Sequence, residues 1–186
     1  MKKVLAISGS VFGTKTRIAL DTLKPLFSSD VDFEVVDLKE IEVAFSDGRD
    51  YRDYEGDTLH LVEKILAADA LVIGSPVFQA SIPGALKNIF DLIPIDGLKD
   101  KVVGIVMTAG SSKHYMVGEY QLKPILSYMK ARTVAKYVFI EGKDFYRTEI
   151  IEDDVHFRLK RLARNIEEDM LLTDTLKAER NKLFSF

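Results

Sequence analysis

The sequence predicts an α/β fold, in which helices cover both faces of a parallel sheet. Five short runs rich in Val, Ile and Ala recur along the 186 residues, and most intervals between them can hold a helix. Nearly continuous apolar runs are typical of strands buried on both faces, and their alternation with helices is typical of crossover connections. The length suits one full core, so we predict a single domain over residues 1–186.

Each element follows from a local pattern of apolar residues. The strands are predicted at 3–8, 32–38, 68–75, 101–109 and 135–141. The helices are predicted at 15–27, 57–67, 83–93 and about 152–180. Pro83 suits the first turn of the third helix. The segment 39–56 has no clear periodicity and is longer than most connections, so it is either functional or variable surface.

Composition excludes several classes of function. The net charge of −3 leaves no large basic surface for nucleic acid, and the absence of cysteine removes disulfides, thiolate nucleophiles and Cys-ligated metals. The apolar run after the first three residues is too short for a signal peptide or a membrane span. We therefore predict a soluble, cytoplasmic protein with neither a membrane nor a nucleic-acid partner.

The first strand is followed by a segment that suits an anion. SGSVFGTKTR combines small hydroxyl residues and glycines with two cations where a helix begins, and first-turn amides add to their positive potential. A Walker A loop is disfavoured because three residues separate Gly9 from Gly13 and no lysine follows directly. The dinucleotide motif G-x-G-x-x-G is disfavoured because Val11 stands at its second glycine.

A cradle for a single phosphate remains, and flavin mononucleotide (FMN) ends in such a group. Hydroxyls and positive charge would come from Ser10, Thr14, Lys15, Thr16 and Arg17. In the alternative interpretation, Ser10 or Thr14 only caps the helix and Lys15 points to water.

Two further strand ends carry small and hydroxyl residues. GSPVFQASIPGALKN at 74–88 offers the apolar side chains of Val77 and Phe78 as a shelf for a flat ring, although a plain turn is the alternative. TAGSSKH follows the fourth strand. Ligands of open parallel sheets bind at the carboxyl ends of the strands, so we expect these loops to share one site.

These loops, in this order, resemble the NAD(P)H-dependent FMN reductases of the flavodoxin-like fold. The stretch TAGSSKHYMVGEYQLKPILSYMKA is similar to the FMN reductases that serve alkanesulfonate monooxygenases. The resemblance spans about residues 3–141 and implies a three-layer sandwich with a five-stranded parallel sheet in the order 2-1-3-4-5. The cofactor-binding residues that it implies are Ser8, Ser10, Thr14, Lys15, Thr16, Arg17, Pro76, Val77, Phe78, Gln79, Thr108, Ala109, Gly110, Ser111 and His114.

The sequence departs from the family pattern at three positions. Phe12 stands where many members have arginine, so the phosphate charge must come from Lys15 and Arg17. Phe78 replaces a common tyrosine, and Ala109 replaces a frequent glycine.

Two residues have alternative interpretations. Pro124 clashes with the carbonyl of Tyr120 in a regular helix, so either a π-type bulge forms there, as in the resembling reductases, or the helix begins near Leu122. His114 is either a polar group beside the flavin or only structural. It has no Cys or carboxylate partners at ligand spacing, so we predict no metal site.

The resemblance implies hydride transfer from NADPH or NADH to FMN, without a catalytic acid or nucleophile from the protein. Two electrons would then pass to a small-molecule acceptor such as free flavin, a quinone or an azo compound. A flavin-dependent monooxygenase is a candidate partner, and helices around 83–93 and 113–131 suggest a homodimer or homotetramer. The alternatives are a flavodoxin-like electron carrier and a nucleotide-binding module that lacks activity.

Overall fold

The computed structural model describes residues 1–184 and has a parallel sheet at its centre. Its first four strands run in the spatial order β2-β1-β3-β4, and β5 and β6 both pair with the outer edge of β4. The predicted order 2-1-3-4-5 is therefore confirmed. The strands are β1 (Lys2–Ser8), β2 (Val31–Asp37), β3 (Ala70–Pro76), β4 (Val102–Ala109), β5 (Arg132–Thr133) and β6 (Val138–Glu141).

The predicted fifth strand at 135–141 was wrong at its start. Only β6 forms there, and β5 occupies the edge before it. The interruption has a visible cause at Tyr137, whose ring packs so closely on Gly118 that a Cβ there would lie 2.8 Å away. The Tyr137 hydroxyl also donates a hydrogen bond to the Tyr115 carbonyl. These contacts draw the segment between β5 and β6 out of the sheet.

Five α-helices within residues 1–184 connect and cover the strands. The first helix ends earlier than predicted, because Pro25 cannot donate the next helical hydrogen bond and a short 3₁₀ turn, Lys24–Leu26, follows instead. No helix of the described residues is both long and apolar enough to cross a membrane. The helices are α1 (Lys15–Leu23), α2 (Gly56–Ala67), α3 (Gly84–Leu92), α4 (Lys123–Tyr128) and α5 (Asp153–Phe184).

Alternating strand residues divide the core between the two faces of the sheet. Leu5 and Ile7 of β1 pack toward one buried cluster, whereas Val4 and Ala6 pack toward the other. Helices α1 and α5 cover the second face, and α2, α3 and α4 cover the first. At Gly104 the approach of α5 is so close that a Cβ would lie 2.6 Å from Ile166. This is the three-layer arrangement that the sequence predicts.

The chain before α4 forms a π-helical turn at Gly118–Leu122. Pro124 occupies the second position of α4, where it needs no helical hydrogen bond. The predicted irregularity is therefore confirmed, and both interpretations contribute: a π turn forms at Tyr120, and the regular helix begins one residue after Leu122.

The connection 39–56 is held against α2 and α3 by hydrogen bonds from its backbone. The amide of Ala44 donates to Thr58 Oγ1 over 2.8 Å, and the amide of Ser46 donates to Asn88 Oδ1 over 2.8 Å. These bonds fix the path of the segment beside α3. Farther along the chain, β7 (Phe145–Tyr146) and β8 (Glu149–Ile150) form a short antiparallel pair after β6.

Candidate functional site

A cavity of about 320 Å³ lies at the carboxyl ends of β1, β3 and β4. The three loops that the sequence singles out meet there, as the topology of an open parallel sheet requires. Residues of all three loops line it: Ser10, Phe12, Gly13, Thr14, Lys15, Thr16, Pro76, Val77, Phe78, Thr108, Ala109 and Gly110.

Ten of the fifteen predicted cofactor residues lie in this lining. The other five, Ser8, Arg17, Gln79, Ser111 and His114, lie outside it. The prediction did not include Phe12 and Gly13. Both belong to the quoted loop, and the signal for Phe12 was an aromatic side chain in a segment otherwise made of smaller and polar residues.

The first loop turns sharply because its glycines permit close contacts. Gly9 donates a hydrogen bond to the Gly74 carbonyl over 2.8 Å, and a Cβ at Gly9 would lie 2.9 Å from that oxygen. Gly13 has a φ of +83°, in the left-handed region that favours glycine. Between them, the Ser10 hydroxyl bonds to the backbone of Phe12. The loop is therefore held in one shape before α1 begins.

The start of α1 has no side-chain cap within the described residues. Thr14 is the N-cap residue, but its hydroxyl makes no capping hydrogen bond, and the Ser10 hydroxyl is used inside the loop. The capping interpretation therefore does not hold. The free first-turn amides and the helix dipole together favour an anion at this position.

The two cations of the loop are placed differently. Lys15 Nζ donates to the Gly142 carbonyl over 3.2 Å, above the ring of Phe145, and its side chain lines the cavity. The Arg17 guanidinium instead binds Asp21 at 3.0 Å and Glu40 at 3.3 Å. The hydrogen bond to Asp21 raises the pKa of Arg17 further. Lys15 is thus the cation in the cavity wall, and Arg17 points to neighbouring carboxylates.

Buried hydroxyls lie beneath the first and third loops. Thr16 Oγ1 and Thr108 Oγ1 are 2.9 Å apart, and both residues are buried. Ser8, the last residue of β1, has a buried hydroxyl without a hydrogen-bond partner among the described residues. A buried polar group of this kind is normally satisfied by a ligand or an ordered water.

The second loop is a tight hairpin that raises an aromatic ring beside the cavity. Phe78 and Ser81 exchange two backbone hydrogen bonds of 3.0 Å. The residues between them, Gln79 and Ala80, have φ values of 47° and 58°. Positive φ at both positions is the geometry of a type I′ turn, which usually contains Asn or Gly. The turn leaves Phe78 partly exposed in the cavity wall.

The third loop is fixed by β6. The amide of Ser112 donates to Glu141 Oε2 over 3.1 Å at the start of a 3₁₀ turn, Ser112–His114. This turn places His114 beyond the cavity lining, half-buried. In the part of the chain that the structure describes, no group of three or more His, Cys, Asp or Glu residues could hold a metal ion.

The strand order and a cavity at the carboxyl ends of three neighbouring strands define a flavodoxin-like α/β protein. Comparison with known proteins then gives the family. The family described as NADPH-dependent FMN reductase matches residues 2–145, and the chain belongs to that family.

Individual relatives agree with this assignment. The chain is 41% identical to an NAD(P)H-dependent FAD/FMN reductase of Geobacillus thermodenitrificans, over 87% of this chain and 89% of the relative. It is 29% identical to an FMN reductase (NADPH) of Pseudomonas aeruginosa, over 87% and 88% of the two chains. A solved NADH:FMN oxidoreductase, EMOB in its apo form, superposes with a TM-score of 0.73 at 26% identity, covering 92% of this chain and 89% of that one.

The predicted fold class and family are therefore confirmed. Membership of the family makes this chain an NAD(P)H-dependent flavin oxidoreductase that uses FMN.

Proposed function

We propose that the protein reduces FMN with NAD(P)H in the cavity at the carboxyl ends of β1, β3 and β4, within one FMN-binding domain. The observation that carries this proposal is the uncapped start of α1, with Lys15 beside it, at one end of a cavity whose other end is apolar. A phosphate needs the amide donors and positive charge at the helix start, and a flavin ring needs the apolar surface at the other end.

The phosphate would lie against the first-turn amides of α1, with the hydroxyl of Thr14 and the ammonium group of Lys15 as further donors. Lys15 would exchange its bond to the Gly142 carbonyl for a stronger, charge-assisted bond. Arg17 would reach the phosphate only after leaving Asp21 and Glu40. We therefore assign it a longer-range electrostatic contribution.

The ring would lie between the second and third loops. FMN held there would supply the redox chemistry that carries two electrons from NADPH or NADH to an acceptor. Pro76, Val77 and Phe78 would orient it from one side, and the 108–111 loop from the other. A Cβ at Gly110 would have no neighbour within 4 Å, so the backbone there leaves open space for the ring edge.

The acceptor that we propose is a small molecule, such as free flavin, a quinone or an azo compound, and a flavin-dependent monooxygenase would be the partner protein that uses reduced flavin. FAD, named for the Geobacillus relative, is a second flavin that the cavity would accept through its FMN half. We also propose a cytoplasmic location.

We also propose that the protein forms a homo-oligomer, because a second surface, away from the cavity, exposes large apolar side chains. A groove of about 610 Å³ runs between the end of α3 and α4. Ile95 and Tyr128 line it and are 96% and 88% exposed, an unusual position for large apolar side chains in a monomer. A second copy of the chain packed on this groove would give a homodimer, and Tyr120, exposed on the π turn, would be available for a tetramer.

The absorbance spectrum of the purified protein mixed with FMN, before and after anaerobic NADPH, tests the function. Bound flavin should be bleached by NADPH and recover its colour with acceptor. Steady-state NADPH oxidation separates a reductase from an electron carrier. A protein that neither binds FMN nor oxidises NADPH or NADH would contradict the proposal.

A further inference from the structure

The first loop separates the cavity proposed to bind FMN, which we call the flavin cavity, from a second cavity on its other side. The volume of the second cavity is about 250 Å³, and the consecutive residues Val11 and Phe12 open onto different cavities. One four-residue segment, Ser10–Gly13, thus separates two concave sites. Apolar side chains form most of the second lining, which consists of Val11, Leu38, Ile41, Val43, Phe45, Gly84, Ala85, Asn88 and Ile89.

The outer wall of this second cavity comes from the connection 39–56. Its hydrogen bonds to Thr58 and Asn88 hold the backbone in place, so the cavity is a built feature of the fold. Phe45 is nonetheless 81% exposed on this wall. A fixed backbone that presents an aromatic ring to solvent is suited to stacking on a flat, partly apolar ligand.

One buried amide gives the cavity a polar group. Asn88 is 6% exposed, and its side chain donates to the Ala44 carbonyl over 2.9 Å and accepts from the Ser46 amide. A primary amide has two N–H donors and two acceptor lone pairs. One of each is therefore unused among the described residues. The unused N–H can donate to a ring nitrogen of a flat heterocycle, such as N7 or N3 of adenine.

We propose that the second cavity binds the adenine ring of a dinucleotide whose pyrophosphate crosses the Ser10–Gly13 loop. The proposal rests on the proposed function, because the other half of the dinucleotide would occupy or face the flavin cavity. Four residues span at most roughly 14 Å, so the loop is narrow enough for a pyrophosphate and ribose to cross. Lys15 and the start of α1 supply positive potential along that path.

Two dinucleotides carry the same adenosine diphosphate group, namely FAD as the flavin and NAD(P)H as the reductant. Filling the second cavity distinguishes them. Gly84 is suited to this, because it lines the cavity, lies outside the flavin cavity, and its Cβ would meet nothing within 4 Å. Gly84→Phe would place a ring in the adenine position, and Gly84→Ala controls for the loss of glycine at the start of α3.

The experiment measures the dissociation constants of FMN and FAD by flavin fluorescence, and the KM for NADPH and NADH at saturating FMN. If FAD is the occupant, Gly84→Phe weakens FAD binding about tenfold, the equivalent of one stacking contact, and leaves FMN binding within about twofold. If the reductant is the occupant, the KM for NADPH or NADH rises by a similar factor instead. Gly84→Ala should leave all of these values near wild type.

Unchanged FAD affinity and unchanged KM values in Gly84→Phe would overturn this inference alone, since FMN binding and NADPH oxidation would still support the proposed function. An equal loss of FMN and FAD affinity would also overturn it, because the substitution would then have disturbed the flavin cavity as a whole. A wild-type protein that binds neither flavin would overturn both proposals.

Discussion

The hydroxyls of Thr16 and Thr108 are 2.9 Å apart and join the first turn of α1 to the end of β4. Both side chains are buried beneath the flavin cavity. Because they belong to segments 92 residues apart, this hydrogen bond links the proposed phosphate end of the site to its proposed ring end.

Replacing one threonine of this pair should cost stability, and replacing both should cost less than the sum. Thr16→Val leaves the Thr108 hydroxyl buried without its partner, at a cost of about 1–3 kcal/mol. The double variant with Thr108→Val removes the unpaired hydroxyl as well. Urea unfolding of the two single variants and the double variant measures the coupling. Strictly additive losses would mean that the bond contributes nothing.

Lys15→Ala should weaken FMN binding more than Arg17→Ala does. Lys15 lines the cavity, and a hydrogen bond from a charged group contributes roughly 1.5–3 kcal/mol, so a loss of about 10- to 100-fold in affinity is expected. Arg17 is paired with the exposed carboxylates of Asp21 and Glu40 and lies 3.9 Å from the buried carboxylate of Asp37, so its loss should lower the free energy of unfolding by about 1 kcal/mol or more. Fluorescence titration with FMN, alongside urea unfolding, separates the two effects.

Riboflavin, which has no phosphate, is the matched ligand control. Its affinity should be the same in Lys15→Ala as in wild type. A larger loss of FMN affinity in Arg17→Ala than in Lys15→Ala would place the phosphate on the Asp21 and Glu40 side of α1 and contradict the arrangement described above.

A charge in the groove between α3 and α4 should disrupt assembly. Ile95→Lys and Tyr128→Glu each place a charge on a surface that a second copy is proposed to bury, and an unpaired buried charge strongly disfavours association. Sedimentation at several concentrations should show a shift toward monomer. Leu183→Lys, at an exposed apolar residue on α5, is the control. A wild-type protein that is monomeric at all concentrations would remove the basis of this prediction.

Much of the architecture follows from local sequence. Buried parallel strands are apolar on both faces, so β1, β3 and β4 are visible as runs, and their order along the chain places their loops at one edge of the sheet. Ten of the fifteen residues predicted to bind the cofactor line one cavity, because the loops that contain them directly follow strands.

Other features depend on contacts between distant segments. The break between β5 and β6 arises because Tyr137 packs on Gly118, 19 residues earlier, and no periodicity within the strand reports such a contact. Arg17 and Asp21 have the i,i+4 spacing that predicts an ion pair on a helix. Glu40, in contrast, comes close to Arg17 only when the chain is folded. The second cavity depends on the path of 39–56, which has no repeating pattern.

Tyr137→Phe should change how stability depends on pH above neutrality. Burial, reinforced by nearby Tyr115 and Glu119, raises the pKa of Tyr137 above its usual value of 10.0. The folded state therefore keeps its proton where the unfolded chain loses it, so this contribution is complete below pH 10 and decreases as the pH rises beyond that value. Wild type should lose stability above pH 10 more steeply than Tyr137→Phe. The variant should also be about 1 kcal/mol less stable at pH 7, because the Tyr115 carbonyl loses its donor.

Urea unfolding from pH 7 to 11 measures both effects, and Tyr128→Phe, at an exposed tyrosine, controls for the loss of one hydroxyl. Parallel pH profiles for wild type and Tyr137→Phe would show that Tyr137 is not the group whose titration the fold opposes.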